Sequence, residues 1–328
     1  MNQIMMSKEK LLQNAKNYAY KPEILEKVYR LLTTLEQFVA VPYLRDRLVL
    51  KGGTALNLFY FENIPRLSVD IDMNYIGQLD RAKMQEERPI INDAIHQIFR
   101  QNQFELDRDP QYHSGGKMVW RYPSVLGQKG NLEVDLNYMY RQPLWPVVWL
   151  SPKLPFEKLI EIPVLDIHEL VGGKLAALFS RQASRDFFDA HYLLTRCNLE
   201  KSKLRLVFVI YLAMTDIKLE SLNQSYLSYS IIDMRNRLLP VLRQNDLPRS
   251  QSQMKAWADK LLDELREALS LIIPLKSEEM DFISQIRNAK EIKPDLITND
   301  QRLIDVISSH PAIRWAVTKM RSVSDAIL

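Results

Sequence analysis

Asp70 and Asp72 are separated by one residue in the segment Ser68 to Ile76, where apolar and polar positions alternate. That alternation predicts a strand with Val69, Ile71 and Met73 on one face and the two aspartates on the other. Side chains alternate across a sheet, so both carboxylates project the same way, close together. Like charges held that close repel unless a cation lies between them, which favours a hard divalent ion with oxygen ligands. Magnesium keeps several waters and bridges one or two carboxylates to phosphate oxygens, so it suits such a pair better than a closed protein cage would. Solvent-facing Asp-x-Asp pairs are common, however, and position has to decide.

Just upstream, Leu48-Val49-Leu50 forms a short apolar run that stops at Gly52-Gly53. Thr54-Ala55-Leu56-Asn57-Leu58-Phe59-Tyr60 then reads as a helix start, with Thr54 as its N-cap. A strand, a Gly-Gly-Thr turn and a helix start aim backbone N–H groups at an anion, and glycine lets a phosphate approach closely. A phosphate cradle beside a metal-binding carboxylate pair is the minimum equipment for phosphoryl or nucleotidyl transfer. Downstream, Asp135 shares the polar face of a strand with Glu133 and Asn137, while Leu132, Val134 and Leu136 share the other. Asp135 is the preferred third acid, able to bind a second ion near an attacking hydroxyl, and Glu133 is its rival.

The second half of the chain holds one lysine inside an apolar helical stripe. Lys174 falls among Ile167, Leu170, Val171, Leu175 and Leu178. Two readings stay open: a stem that packs while the ammonium reaches water, or a lysine aimed at a triphosphate. In Arg185-Asp186-Phe187-Phe188-Asp189, helical spacing makes Asp186 and Asp189 neighbours and sets Arg185 four residues from Asp189, as an ordinary surface ion pair would also require.

The elements that must position these groups follow from the remaining pattern. Helical spacing runs from Lys8 to Tyr43, and a further helix is expected from Arg81 to Gln101. Strands are expected at Lys117 to Val125 and Leu132 to Tyr140, joined through Gly127-Gln128-Lys129-Gly130. All nine glycines lie between Gly52 and Gly173, and Lys174 to Leu328 has none, which suits a helical part with short loops. Pro240, Pro248, Pro274, Pro294 and Pro311 divide that part, and Gln244 to Gln253 is its most loop-like stretch. The fold class expected is α+β, with a small mixed sheet flanked by helices and an all-helical C-terminal part. The division falls at 1–160 and 161–328, with the border between Pro152 and Pro163.

Composition is that of a globular protein, 46% hydrophobic and 26% charged over 328 residues. No continuous apolar stretch is long enough for a membrane helix, and the start has no apolar core for a secretory signal. The expected location is cytoplasmic. One cysteine, Cys197, excludes an internal disulfide and reads as a packing residue in a helix beside Leu193 and Leu194. A net charge of +4 and a pI near 8.9 are compatible with a polyanionic partner without requiring one.

The segment KGGTALNLFYFENIPRLSVDID resembles the signature of the AbiEii/AbiGii-type toxins of type IV toxin–antitoxin systems, within the DNA polymerase β-like nucleotidyltransferase superfamily. Their pattern, Gly-Gly-Thr-Ala-Leu, a short helix and Arg-x-Ser-x-Asp-x-Asp, is met by Gly52 to Leu56 and by Arg66, Ser68, Asp70 and Asp72. A second pattern, a helical lysine followed by Arg-Asp-aromatic-x-Asp, is similar to Lys174 with Arg185, Asp186 and Asp189. The resemblance spans roughly Leu48 to Leu194. It implies a nucleotidyltransferase that takes an NTP with magnesium or manganese, the helical part completing the NTP site. Asp70, Asp72 and Asp135 would hold metal. Gly52, Gly53, Thr54, Arg66, Ser68, Lys174 and Asp186 would serve the nucleotide, with Lys174 on the triphosphate. Asp189 would support that lysine or the nucleotide, and Asp186 and Asp189 could exchange roles. The related MenT toxins add nucleotides to the 3′ acceptor end of tRNA, so the resemblance also implies an RNA acceptor, tRNA in particular, and a cognate antitoxin. Transfer to a protein or small-molecule hydroxyl, or an inactive binding module, are the competing readings.

Overall fold

The computed structural model describes residues 6–109, 115–154 and 160–325. The expected border therefore lies partly outside the described residues. The described chain forms two compact units. The first takes the residues up to Met139, then Val147–Leu165 and Leu239–Leu247; the second takes Tyr140–Pro146, Asp166–Leu238 and the chain from Pro248 onward.

The first unit is a seven-stranded mixed sheet with helices packed on it, as an α+β chain requires. Its strands are β1 (Leu48–Lys51), β2 (Asp70–Tyr75), β3 (Glu105–Arg108), β4 (Gly115–Pro123), β5 (Lys129–Asn137), β6 (Val148–Leu150) and β7 (Ile162–Val164), in the order β3-β4-β5-β2-β1-β7-β6. The central pair, β2 and β5, runs parallel, and β1 and β4 flank it antiparallel. Helices α1 (Lys8–Tyr18), α2 (Pro22–Ala40), α3 (Pro42–Arg45), α4 (Gly52–Ala55) and α5 (Arg81–Gln101) complete the unit. The last matches the range its spacing predicts and runs on through Pro89.

The alternation in each strand divides the sheet into an apolar and a charged face. Leu50, Ile71, Met73, Met118, Trp120, Leu132, Val134 and Leu136 are all buried. Phe99 of α5 stacks on Trp120 at 4.5 Å between ring centroids and meets Phe38 of α2 edge-on at 6.3 Å. Burying such aromatic pairs anchors both helices to the sheet. The opposite face carries the acids.

The second unit is helical: α6 (Ile167–Arg181), α7 (Ser184–Arg196), α8 (Lys201–Ala213), α9 (Ile231–Asp233), α10 (Gln251–Leu269), α11 (Ser277–Ser284), α12 (Gln301–Ser309) and α13 (Pro311–Asp325). Pro311 opens α13, where its missing N–H costs nothing. A side chain at Gly172 would put its Cβ 2.7 Å from Val207, so glycine is what lets α6 and α8 pack this closely. Cys197 caps the C-terminus of α7 instead of lying within it, and burial pushes its thiol pKa up. No helix among the described residues is long and apolar enough to cross a membrane.

Candidate active site

Register brings the acids of the first unit together. Asp72 pairs with Asp135 and Asp70 with Glu133 across the parallel β2–β5 ladder. Registered residues on paired strands share a face, with backbones about 4.8 Å apart, so four carboxylates occupy one patch. The row through Asp72 continues to both sides, since Lys51 of β1 is opposite Asp72 and Lys117 of β4 is opposite Asp135. Lysine, aspartate, aspartate and lysine thus cross four strands in one line.

Electrostatics separate the members of this patch. Burial is the main cause that raises the pKa of Asp70, and Asp72 and Glu133 add to it while Lys27 and Lys117 oppose it. Asp135 is raised in the same way, by burial first and then by Asp72 and Glu133, against Lys51 and Lys117. Glu133 behaves differently. Lys117 reaches it at 2.7 Å, and that bond holds its carboxyl below the ordinary range although burial works the other way. Of the two rivals on β5, Glu133 is committed to a lysine, and Asp135 is the one registered with Asp72.

The glycine turn is moulded around this patch. Gly52 adopts φ +74°, a left-handed conformation that glycine takes without a Cβ penalty. A Cβ there would sit 2.4 Å from Asp72 Oδ2, so the backbone lies directly against that carboxylate. At Gly53 a Cβ would meet Arg66 Nη2 at 2.7 Å and Ser68 Oγ at 3.1 Å. Arg66 and Ser68 are buried behind the turn, with Arg66 Nη1 donating to the Leu67 carbonyl at 2.9 Å. Thr54 does not cap the helix. The helix starts at Gly52 with Lys51 at its N-cap, which places Thr54 inside the first turn, fully buried. Its hydroxyl donates to the Asp70 carbonyl at 2.5 Å and ties the turn to β2. The helix continues as one π-type turn over Leu56–Tyr60.

The fit to a metal rests on the donor set. Among the described residues no three His, Cys, Asp or Glu side chains converge as a metal cage. A hard ion that binds one or two carboxylates and takes its other ligands from water and phosphate needs no such cage. Two half-buried acids, Asp70 and Asp135, whose ionisation is resisted by their neighbours, offer the negative site that such an ion neutralises.

In the second unit, Lys174 is bound between two carboxylates. Its Nζ lies 3.0 Å from Asp186 Oδ1 and 2.9 Å from Asp189 Oδ2. The lysine side chain is 11% exposed and the aspartates 2% and 1%, which removes both the snorkelling reading and the surface ion pair. Burial would raise the Asp186 pKa, yet Lys174 and Arg181, the latter 2.6 Å away, together hold it down. Arg185 turns its Nε to the Arg237 carbonyl at 2.9 Å.

A known family matches this combination of sheet, glycine turn and acids. The family described as "Nucleotidyl transferase AbiEii toxin, Type IV TA system" matches residues 34–289. The chain belongs to the AbiEii family. It is by that membership a nucleotidyltransferase toxin of a type IV toxin–antitoxin system. The AbiEii match reaches from α2 into the π turn that follows α11, and so includes every candidate site residue. Among solved structures, the chain is similar to MenT4, a nucleotidyltransferase toxin from Mycobacterium tuberculosis H37Rv, with 15% identity and a TM-score of 0.59 over 94% of this chain and 97% of that one. That likeness is one of fold. No curated protein matches the chain.

Sequence reading did not mark Lys51, Lys117 or Lys27 as neighbours of the acids. Lys51 ends the apolar run Leu48-Val49-Leu50, and Lys117 opens the strand expected from Lys117 to Val125. Their partners depend on strand register, which has no local signal in either segment.

Proposed function

We propose that the charged face of the first unit transfers a nucleoside monophosphate from an NTP to an RNA hydroxyl, with the tRNA 3′ end as acceptor. The observation that carries this reading is the registered pair Asp72 and Asp135, with Asp70 on the same face and the Gly52 backbone against Asp72. Asp70, Asp72 and Asp135 are the residues that would hold magnesium or manganese, and the ion would supply Lewis-acid stabilisation of phosphate charge. The acceptor oxygen forms a bond to the α-phosphorus as the bond to pyrophosphate breaks. Pyrophosphate leaves with the electron pair, and the hydroxyl proton passes to Asp135, whose raised pKa suits a base better than an ordinary aspartate's would. Gly52, Gly53 and Thr54 form the turn that admits phosphate, with Arg66 and Ser68 fixing its backbone. In the second unit, Lys174 is the triphosphate ligand of this reading, and Asp186 and Asp189 hold its ammonium. In this reading the protein acts in the cytoplasm and is restrained by a cognate antitoxin, which the toxin family supports.

The test is incubation of the full chain with magnesium, total bacterial tRNA and each α-phosphate-labelled NTP in turn, beside an Asp70→Ala/Asp72→Ala variant. Label on tRNA with the wild type alone supports the reading and reports the preferred base. Label on protein moves the acceptor to a polypeptide, and no label with any NTP removes the reading.

A further inference from the structure

Lys51 is a charged side chain of the site that neither the Asp-x-Asp pattern nor the Gly-Gly-Thr turn includes. It ends β1 immediately before Gly52 and is registered with Asp72. Of the two lysines that close the four-strand row, Lys117 is engaged, its Nζ donating to Glu133 at 2.7 Å. No ion pair or side-chain hydrogen bond involves Lys51 among the described residues. An ammonium that is half-buried, close to a carboxylate pair and not neutralised by direct contact has donor capacity left for an anion.

We infer that Lys51 is a triphosphate-binding residue, its ammonium donating to oxygens of the NTP beside the Gly52 turn. The inference rests on the nucleotidyl-transfer reading and adds a residue to it. A lysine acts on phosphate as a point charge, and Lys51 stands in the same row as the acids that would hold the ion and next to the turn that would admit phosphate. The competing role for Lys51 is charge balance alone, as a fixed cation beside two repelling acids. The two roles differ in sign. A balancing cation competes with magnesium, so its removal tightens metal binding and leaves triphosphate affinity unchanged or improved. A phosphate ligand, once removed, weakens binding in proportion to the number of phosphates offered.

The deciding experiment is calorimetric titration of the full chain with inorganic triphosphate and with nucleoside 5′-monophosphates, both with magnesium, for wild type, Lys51→Ala and Lys51→Arg. Thermal melts of each variant confirm folding, and monophosphate binding serves as an internal control in the same sample. The expected result is triphosphate affinity reduced about tenfold or more in Lys51→Ala, the scale of one charge-assisted hydrogen bond, with monophosphate affinity little changed and partial recovery in Lys51→Arg. Wild-type triphosphate affinity in a folded Lys51→Ala protein would overturn the assignment, as would an equal loss for triphosphate and monophosphate. A wild type that binds neither triphosphate nor monophosphate would remove the nucleotide reading itself, and Lys51 with it.

Discussion

Asp72 on β2 and Asp135 on β5 face the same side of two parallel strands in direct register, and the neighbouring Asp72 adds to the burial that raises the pKa of Asp135. That pair has a consequence for stability that is opposite to its consequence for activity. Asp72→Asn keeps the shape and removes one of the repelling charges. Folding stability without metal is expected to hold or rise by about 1 kcal/mol, while transfer falls by about two orders of magnitude or more. Magnesium should raise the melting temperature of the wild type by mass action on the folded state, and do so much less in the variant. Equal magnesium shifts in the two proteins would take the metal away from this pair.

Gly52→Ala tests the turn independently of charge. The new Cβ meets Asp72 Oδ2 at 2.4 Å and is placed at φ +74°, so both backbone and carboxylate must move. A loss of about 1–3 kcal/mol in chemical denaturation is expected, together with a drop in transfer as large as that of Asp72→Asn. Full activity in this variant would show that the close approach of backbone to carboxylate has no part in the reaction.

How much of this was legible beforehand depends on whether the determinant was local. The faces of β2 and β5 follow from period-two alternation, and Asp70, Asp72, Ile71 and Val134 fall where that alternation puts them. The choice between Asp135 and Glu133 was not local, because it depends on Lys117, 16 residues from Glu133. Thr54 has the chemistry of an N-cap, but the left-handed Gly52 lets the helix begin three residues earlier, with Lys51 at the N-cap, and the hydroxyl finds the Asp70 carbonyl instead. Strands β6 and β7, three residues each, are too short to show any period.

Lys174 changes meaning for the same reason. From the family resemblance alone, Lys174→Ala would be expected mainly to weaken NTP binding. With Asp186 and Asp189 both buried against its ammonium, the substitution strands two carboxylates, and breaking such a buried pair costs about 3–5 kcal/mol. Denaturant melts of Lys174→Ala should show that loss, and the double variant Lys174→Met/Asp189→Asn should recover part of it. A destabilisation below about 1 kcal/mol would mean that the aspartates are solvated in the folded protein.

Glu169 of α6 gives a prediction in pH. It is fully enclosed, and its Oε2 accepts from the backbone N–H of Leu144 at 2.9 Å and of Trp145 at 3.3 Å. Burial pushes its carboxyl up to about 8, against 4.5 as its ordinary value. Between those values the unfolded chain binds fewer protons than the folded one, so stability falls as pH rises through the window and is flat above it. His310 works in the opposite sense at lower pH. Burial holds its imidazole down to about 4 from 6.5, so the unfolded chain binds more protons there and stability rises with pH across that range. The two slopes oppose each other between 4.5 and 6.5, which leaves the interval from 6.5 to 8 as the clean reading of Glu169. Denaturant midpoints across that interval should decline by up to about 1.4 kcal/mol per pH unit from this group. Glu169→Gln, whose carbonyl oxygen can still accept both backbone hydrogens, should remove that decline while retaining the fold. Identical pH slopes in the two proteins would mean that Glu169 is already ionised at neutral pH, held so by its two N–H donors and Arg302.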